Sequence, residues 1–313
     1  STQNEGWVRM AFDKLKIPYT YLGDTKLREP NLRQKYDVIV FPHVGGTPQS
    51  QVNGLPMTGD PIPYRKSDLT PNLGVQDSAD DIRGGMGFEG LVNLMKFVQE
   101  GGLLITEGST STIFPAYNLV SGVSLEEPTG LFARGVVMKG VFADRKSPIA
   151  YGYDSDVLAV YFSQAPVMSV AGSGGGTGFG GGRGGPQIPG VGQNLTPNAI
   201  PQALATLEGP AKPPAASPEP GGPGGGRGGV VLPLTSRPRV ILRFPSDPND
   251  MLLSGGLLGQ QALAGRALVV DAPLGKGHVV MFANRPYWRW QTHGSFNLGF
   301  NAILNWNDLD AGR

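Results

Sequence analysis

The sequence has no cysteine among its 313 residues. That excludes disulfides, thiolate metal sites and a cysteine nucleophile. Histidine is scarce as well. His43, His278 and His293 stand in separate contexts, and none forms an H-x-x-E or H-E-x-x-H arrangement, so spacing offers no metal site. An excess of one charge is also missing: 26 basic side chains stand against 25 acidic ones. No overall field would recruit nucleic acid or an anionic membrane. No apolar run reaches the roughly 18 residues that a membrane span requires. Neither composition nor spacing calls for a cofactor, and none is expected.

Glycine and proline are abundant, at 48 and 28 residues, and much of that excess lies in residues 171–230. This stretch, with two copies of "GGRGG", cannot bury enough apolar area to offset its ordering entropy. It reads as a low-complexity insertion, held against a surface or a partner. Its G-x-G-x-x-G matches lie between no strand and no helix, so they do not make a phosphate-binding fingerprint. Arg183, Arg227 and Lys212 face Glu208 and Glu219 there, too small a balance for RNA binding.

The remainder, residues 1–170 and 231–313, reads as one α/β domain. Thr2 and Glu5 form a capping-box pattern before a helix that places Trp7, Met10, Ala11 and Leu15 on one face. "YTYL" at 19–22 reads as a short strand. "VIVF" at 38–41 reads as a strand buried on both faces, and residues 42–86 as a long loop. "FEGLVNLMKFVQEGG" predicts a helix with Leu91, Leu94, Met95 and Val98 inward, stopped at Gly101 and Gly102. "LLIT" at 103–106 is the next buried strand. Residues 131–170 turn β-rich, "RALVVDAPLGKGHVVMFANRP" reads as an antiparallel pair, and "SFNLGFNAILNW" as a closing helix with Phe296, Phe300, Ile303 and Leu304 inward. Helix and strand alternate in the first third, which implies a mostly parallel sheet flanked by helices. Such folds begin with a strand, and this chain begins with the helix that should follow it. The first strand is therefore expected to be missing, shortened or supplied by other polypeptide.

Two places invite chemistry. The turn after "LLIT" carries Thr106 and Ser109 where some α/β hydrolases hold a nucleophile, although helix capping by Ser109 and Thr110 explains the same residues. The connection 283–294 holds Arg285, Trp288, Arg289 and His293 at the carboxyl end of a core strand, where open α/β sheets place ligands.

On "EGWVRMAFDKLKIPYTYL", "LRQKYDVIVFP", "SPIAYGYDSDVLAVYF" and above all "LLSGGLLGQQALAGRALVVDAPLGKGHVVMFANRPYWRWQTHGSFNLGFNAIL", the chain resembles a class I glutamine amidotransferase-like, flavodoxin-like domain. More closely, it resembles the C-terminal domain of large bacterial zinc carboxypeptidase-like proteins of the M14 peptidase family. The resemblance implies a strand before the first helix and an extracytoplasmic location. It also implies a Cys–His–Glu triad, but Thr106 stands at the nucleophile position, Ala283 or Asn284 at the histidine and Arg285 or Pro286 at the glutamate. A triad needs all its members, so no glutaminase is expected, and the zinc-ligand motif is absent too. The expected function is a non-catalytic binding or scaffold domain, a piece of an exported peptidase-like protein held in a larger assembly. Its protein partners would contact residues 171–230 or the N-terminal edge that lacks a first strand. The alternatives are an accessory domain of an active zinc carboxypeptidase, or a hydrolase using Thr106 or Ser109.

Overall fold

A computed structural model describes residues 3–171 and 236–313. The capping role of Thr2 and nearly all of the 171–230 stretch, with the partner contacts expected of it, lie outside the described residues. The strands are β1 (Val38–Phe41), β2 (Leu103–Glu107), β3 (Val123–Glu126), β4 (Val136–Phe142), β5 (Val157–Phe162), β6 (Val167–Val170), β7 (Arg239–Arg243), β8 (Leu252–Ser254), β9 (Ala267–Leu274) and β10 (Gly277–Phe282). The helices are α1 (Gln3–Lys14), α2 (Leu32–Lys35), α3 (Pro48–Asn53), α4 (Gly87–Gln99), α5 (Ile113–Ala116) and α6 (Phe296–Leu304).

All ten strands join one sheet with the order β1-β2-β10-β9-β7-β4-β5; β6 pairs with β9 and β3, and β8 pairs with β4. The pairs β1–β2 and β2–β10 are parallel, and every other pair is antiparallel. This corrects the expectation of a flavodoxin-like, amidotransferase-like parallel sheet flanked by helices. The physical reason lies in the connections. Gly275 and Lys276 alone join β9 to β10, and a two-residue link can only make neighbours antiparallel, whereas parallel neighbours need a crossover of about a dozen residues or more. The helix–strand alternation that suggested a parallel sheet holds for the first third of the chain and then gives way to hairpins.

Strand burial follows position. β2 and β10 lie inside the sheet and are buried along their whole length, while β4 alternates buried and half-buried residues. β1 is the edge strand, and Ile39 is its one buried residue, so it is not covered on both faces as expected. Its outer edge pairs with no strand among the described residues. The "YTYL" segment forms no strand at all.

Helix α4 buries Leu91, Leu94, Phe97 and Val98, close to its expected face, and Gly101 closes it at φ +104°. The β9–β10 hairpin fits tightly against its end. A Cβ at Gly277 would stand 2.2 Å from the Gly102 carbonyl oxygen and 2.4 Å from that of Val98. Helix α1 is rotated from its expected face: Asn4, Val8, Ala11 and Phe12 are buried, an i, i+4, i+7, i+8 stripe, and Leu15 is exposed. Phe12 packs with Phe300 and, edge-on, with Tyr287 in a second apolar cluster that joins α1 to α6. In α6, Phe296, Leu298 and Ala302 are buried, and Leu304 faces solvent rather than the core.

A charged clasp closes the amino-terminal end of β10. Asp271, fully buried in β9, binds His278 Nδ1 at 2.6 Å and Arg313 Nη2 at 2.9 Å. Asp310 lies 3.6 Å from His278 Nε2 and 2.8 Å from Arg313 Nε. A buried carboxylate is tolerable here because two donors compensate its lost hydration. Burial works against the charged form of His278, but the hydrogen bond and charge of Asp271, with Asp310 nearby, outweigh it and hold the imidazole above its ordinary value of 6.5. A raised imidazole contributes stability that is full below the unfolded value and is lost as pH rises through the folded one. Urea denaturation should therefore show stability falling above pH 6.5. His278→Gln should abolish that part of the slope and cost roughly 1–3 kcal/mol at pH 6. An identical slope in the variant would exclude the clasp as its source.

Candidate functional site

The three parallel strands end on the same side. Phe41 of β1 is in register with Thr106 of β2, and Glu107 with Phe282 of β10. The segments leaving these ends carry His43, Glu107 and Arg285 into one neighbourhood. Open sheets collect functional groups here because the backbone turns away and leaves side chains at the strand mouths.

The turn after β2 is built around Glu107. Its carboxyl accepts the Thr110 amide while its own amide donates to Thr110 Oγ1, a reciprocal capping box. Thr110 Oγ1 also lies 2.7 Å from the Phe41 carbonyl, which ties the ends of β1 and β2 together. Gly108 then reverses the chain at φ +55°. A Cβ there would fall 2.7 Å from His43 Nδ1, so conformation and contact both require glycine. The reversal aims the Ser109 amide at His43 Nδ1, 2.9 Å away. An imidazole that accepts at Nδ1 is neutral and carries its proton on Nε2. Desolvation, and then the charge of Arg285, push His43 down to about 4.

Glu107 is sealed from solvent, and its Oε1 has no hydrogen-bond partner. Burial pushes its carboxyl up to about 8, against a smaller opposing pull from Arg285. Burial thus favours its protonated form. Behind it, Asn284 is fully buried with neither side-chain polar atom bonded, and the buried Tyr287 hydroxyl is unbonded too.

Arg285 is half-buried. Its guanidinium lies 5.8 Å from the Tyr161 ring centre and 5.4 Å from that of Trp288, and those two rings stack 5.3 Å apart. Its one side-chain hydrogen bond reaches Asn4 Oδ1 at 3.5 Å. No carboxylate among the described residues forms an ion pair with it.

The residues singled out from sequence therefore separate. Arg285 and Trp288 belong to the cluster. Arg289 is exposed and lies 5.3 Å from Trp288, in a connection where Arg289, Trp290 and Thr292 all have positive φ. His293 is exposed and packs edge-on against Trp290 and Phe296, apart from the cluster. Thr106 is buried, and its hydroxyl is spent on Ser111 Oγ at 3.0 Å and the Val280 carbonyl at 3.5 Å. Ser109 Oγ accepts the Gly45 amide at 3.0 Å. Sequence reasoning missed His43, Glu107, Tyr161 and Tyr287. A signal existed for Glu107, a carboxylate closing the strand Leu103–Glu107 directly before glycine. A surface cavity of about 250 Å³ lies elsewhere, between Tyr21, Lys26, Glu29 and Lys35. Both of its lysines are already paired with Glu29, and it shares no residue with this cluster.

No known family pattern matches the chain, and no curated protein matches it. Among solved structures, it is similar to a cytoplasmic protein from Salmonella typhimurium at 10% identity and a TM-score of 0.43, over 95% of this chain and 85% of that one. It is also similar to a β-galactosidase from Bacillus circulans sp. alkalophilus at 11% identity and a TM-score of 0.32, over 69% of this chain. The match spans 20% of the β-galactosidase.

A carboxyl whose folded value lies above its unfolded one contributes stability that is full below about 4.5 and is lost as pH rises to about 8. Glu107→Gln keeps the shape and removes the ionisation. The variant should match the wild type near pH 4 and exceed it by up to about 4 kcal/mol at pH 8 in urea denaturation. Parallel stability curves for the two proteins would mean that Glu107 is charged in the folded state.

Proposed function

We propose that this chain is a non-catalytic binding domain whose ligand site lies over the carboxyl ends of β1, β2 and β10. The observation that carries the reading is Arg285, a half-buried cation laid against two aromatic rings with no anion paired to it among the described residues. A guanidinium in that position loses hydration without regaining a charge partner, a condition that a bound ligand relieves. The non-catalytic part rests on the hydroxyls. Thr106 is locked between β2 and β10, and His43 meets Ser109 through the backbone amide rather than the hydroxyl. Neither serves as a nucleophile held by a base. A protein partner belongs to the same reading, because the open edge of β1 offers unpaired backbone groups for an added strand.

The test is NMR observation of the Trp288 indole N–H during screening of fragment mixtures, together with esterase and peptidase assays. The Trp288 signal should move with binding fragments, and no substrate should turn over. Turnover that disappears in Ser109→Ala would overturn the non-catalytic assignment.

A further inference from the structure

We infer that the ligand of this site presents a carboxylate, received by the open N–H edge of Arg285 against the Tyr161–Trp288 stack. The inference rests on the reading that the site binds a ligand at all, and it adds the chemical class.

Three observations lead to it. First, the donors of Arg285 are available. A guanidinium carries five N–H donors in a planar fork, and here its side chain makes one hydrogen bond, to Asn4. The nitrogens left without a partner are not sealed from solvent, unlike Arg239 Nη2 or Arg9 Nε elsewhere in the chain. Second, three other arginines with little-exposed side chains each hold an acid of the protein itself. Arg83 binds Asp81 and the carbonyls of Thr58 and Gly59. Arg239 binds Asp144 and the carbonyls of Leu309 and Ala311, and Arg313 binds Asp271 and Asp310. Arg285 departs from the pattern by lacking an acid. Third, the neighbouring ionisable groups do not balance its charge. His43 Nδ1 accepts a backbone amide, and Glu107 is sealed and forms no ion pair with Arg285. Their shifts agree, one lowered and the other raised. Among the described residues Arg285 is a cation without a paired anion, and the exposed Arg289 lies over the same Trp288 ring, so the complement of the site is anionic. The guanidinium lies against two rings, and its fork of N–H donors is planar. A flat carboxylate matches that fork with two parallel N–H···O bonds.

The experiment is titration of the full chain with benzoate, benzamide and inorganic phosphate, read by the Trp288 indole N–H and by calorimetry. Benzoate and benzamide share shape and ring and differ in the charge of the group presented. Benzoate should bind about tenfold or more tightly than benzamide, and phosphate more weakly than benzoate. Arg285→Gln, checked for an unchanged melting profile, should remove the preference for benzoate. The comparison of benzoate with benzamide on the unmodified protein needs no variant, so a poorly folded Arg285→Gln does not rescue a failure there. Equal binding of the two, or phosphate as tight as benzoate, would overturn the carboxylate assignment and leave the site standing. No movement of the Trp288 signal with any of the three, at their highest soluble concentrations, would overturn both.

Discussion

The carboxyl end of this sheet is organised by one group out of water, the Glu107 side chain at the mouth of β2. A carboxyl sealed from solvent must be protonated or paired, and burial here favours the protonated form. The capping box with Thr110 satisfies part of it, and that same threonine hydroxyl fastens the end of β1 through Phe41. The reversal at Gly108 follows from this packing, because the chain must turn at once and His43 occupies the space a Cβ would need. Ser111 joins from beneath, donating to the Phe282 carbonyl at 2.9 Å and so fixing β10 to the same turn. The positions of His43, Arg285 and the strand ends are thus consequences of how one buried acid is accommodated.

The mixed sheet separates two duties. Its short parallel part aligns three carboxyl ends, and side chains from distant parts of the sequence converge there. Its antiparallel part joins neighbours such as β9 and β10 as well as strands distant in sequence such as β4 and β7, and it contributes much of the core. The charged clasp of Asp271, His278 and Arg313 lies toward the opposite end of β9 and β10. There the buried charge is fully paired and does structural work, whereas at the carboxyl end it is left open. The two ends of one hairpin follow opposite electrostatic rules.

Sequence made the strongly periodic elements legible: β2, α4, the β9–β10 hairpin and the existence of α6. These are places where local pattern and tertiary burial agree. It misled on the sheet because a helix between two strands announces a parallel pair, while the later strands, apart from the β9–β10 hairpin, do not announce their neighbours. It misplaced the inward face of α1 because Trp7 and Met10 are as apolar as Val8 and Phe12. What decides between the stripes is the aromatic cluster of Tyr287, Phe296 and Phe300 from the far end of the chain. The site was half legible. Arg285 and Trp288 stood out in an aromatic connection, but His43 and Glu107 are ordinary residues in sequence, and their roles arise from register between strands some 65 residues apart and from burial.

The distribution of unsatisfied groups bears on why such a site persists. Buried polar atoms without partners cost roughly 1–3 kcal/mol each, and folded proteins hold few of them. Among the described residues, half of these side-chain atoms belong to Glu107, Asn284 and Tyr287. A purely structural role would be served better by apolar residues of similar volume at those positions. The concentration of such atoms near an arginine that forms no ion pair among the described residues supports the binding reading proposed above.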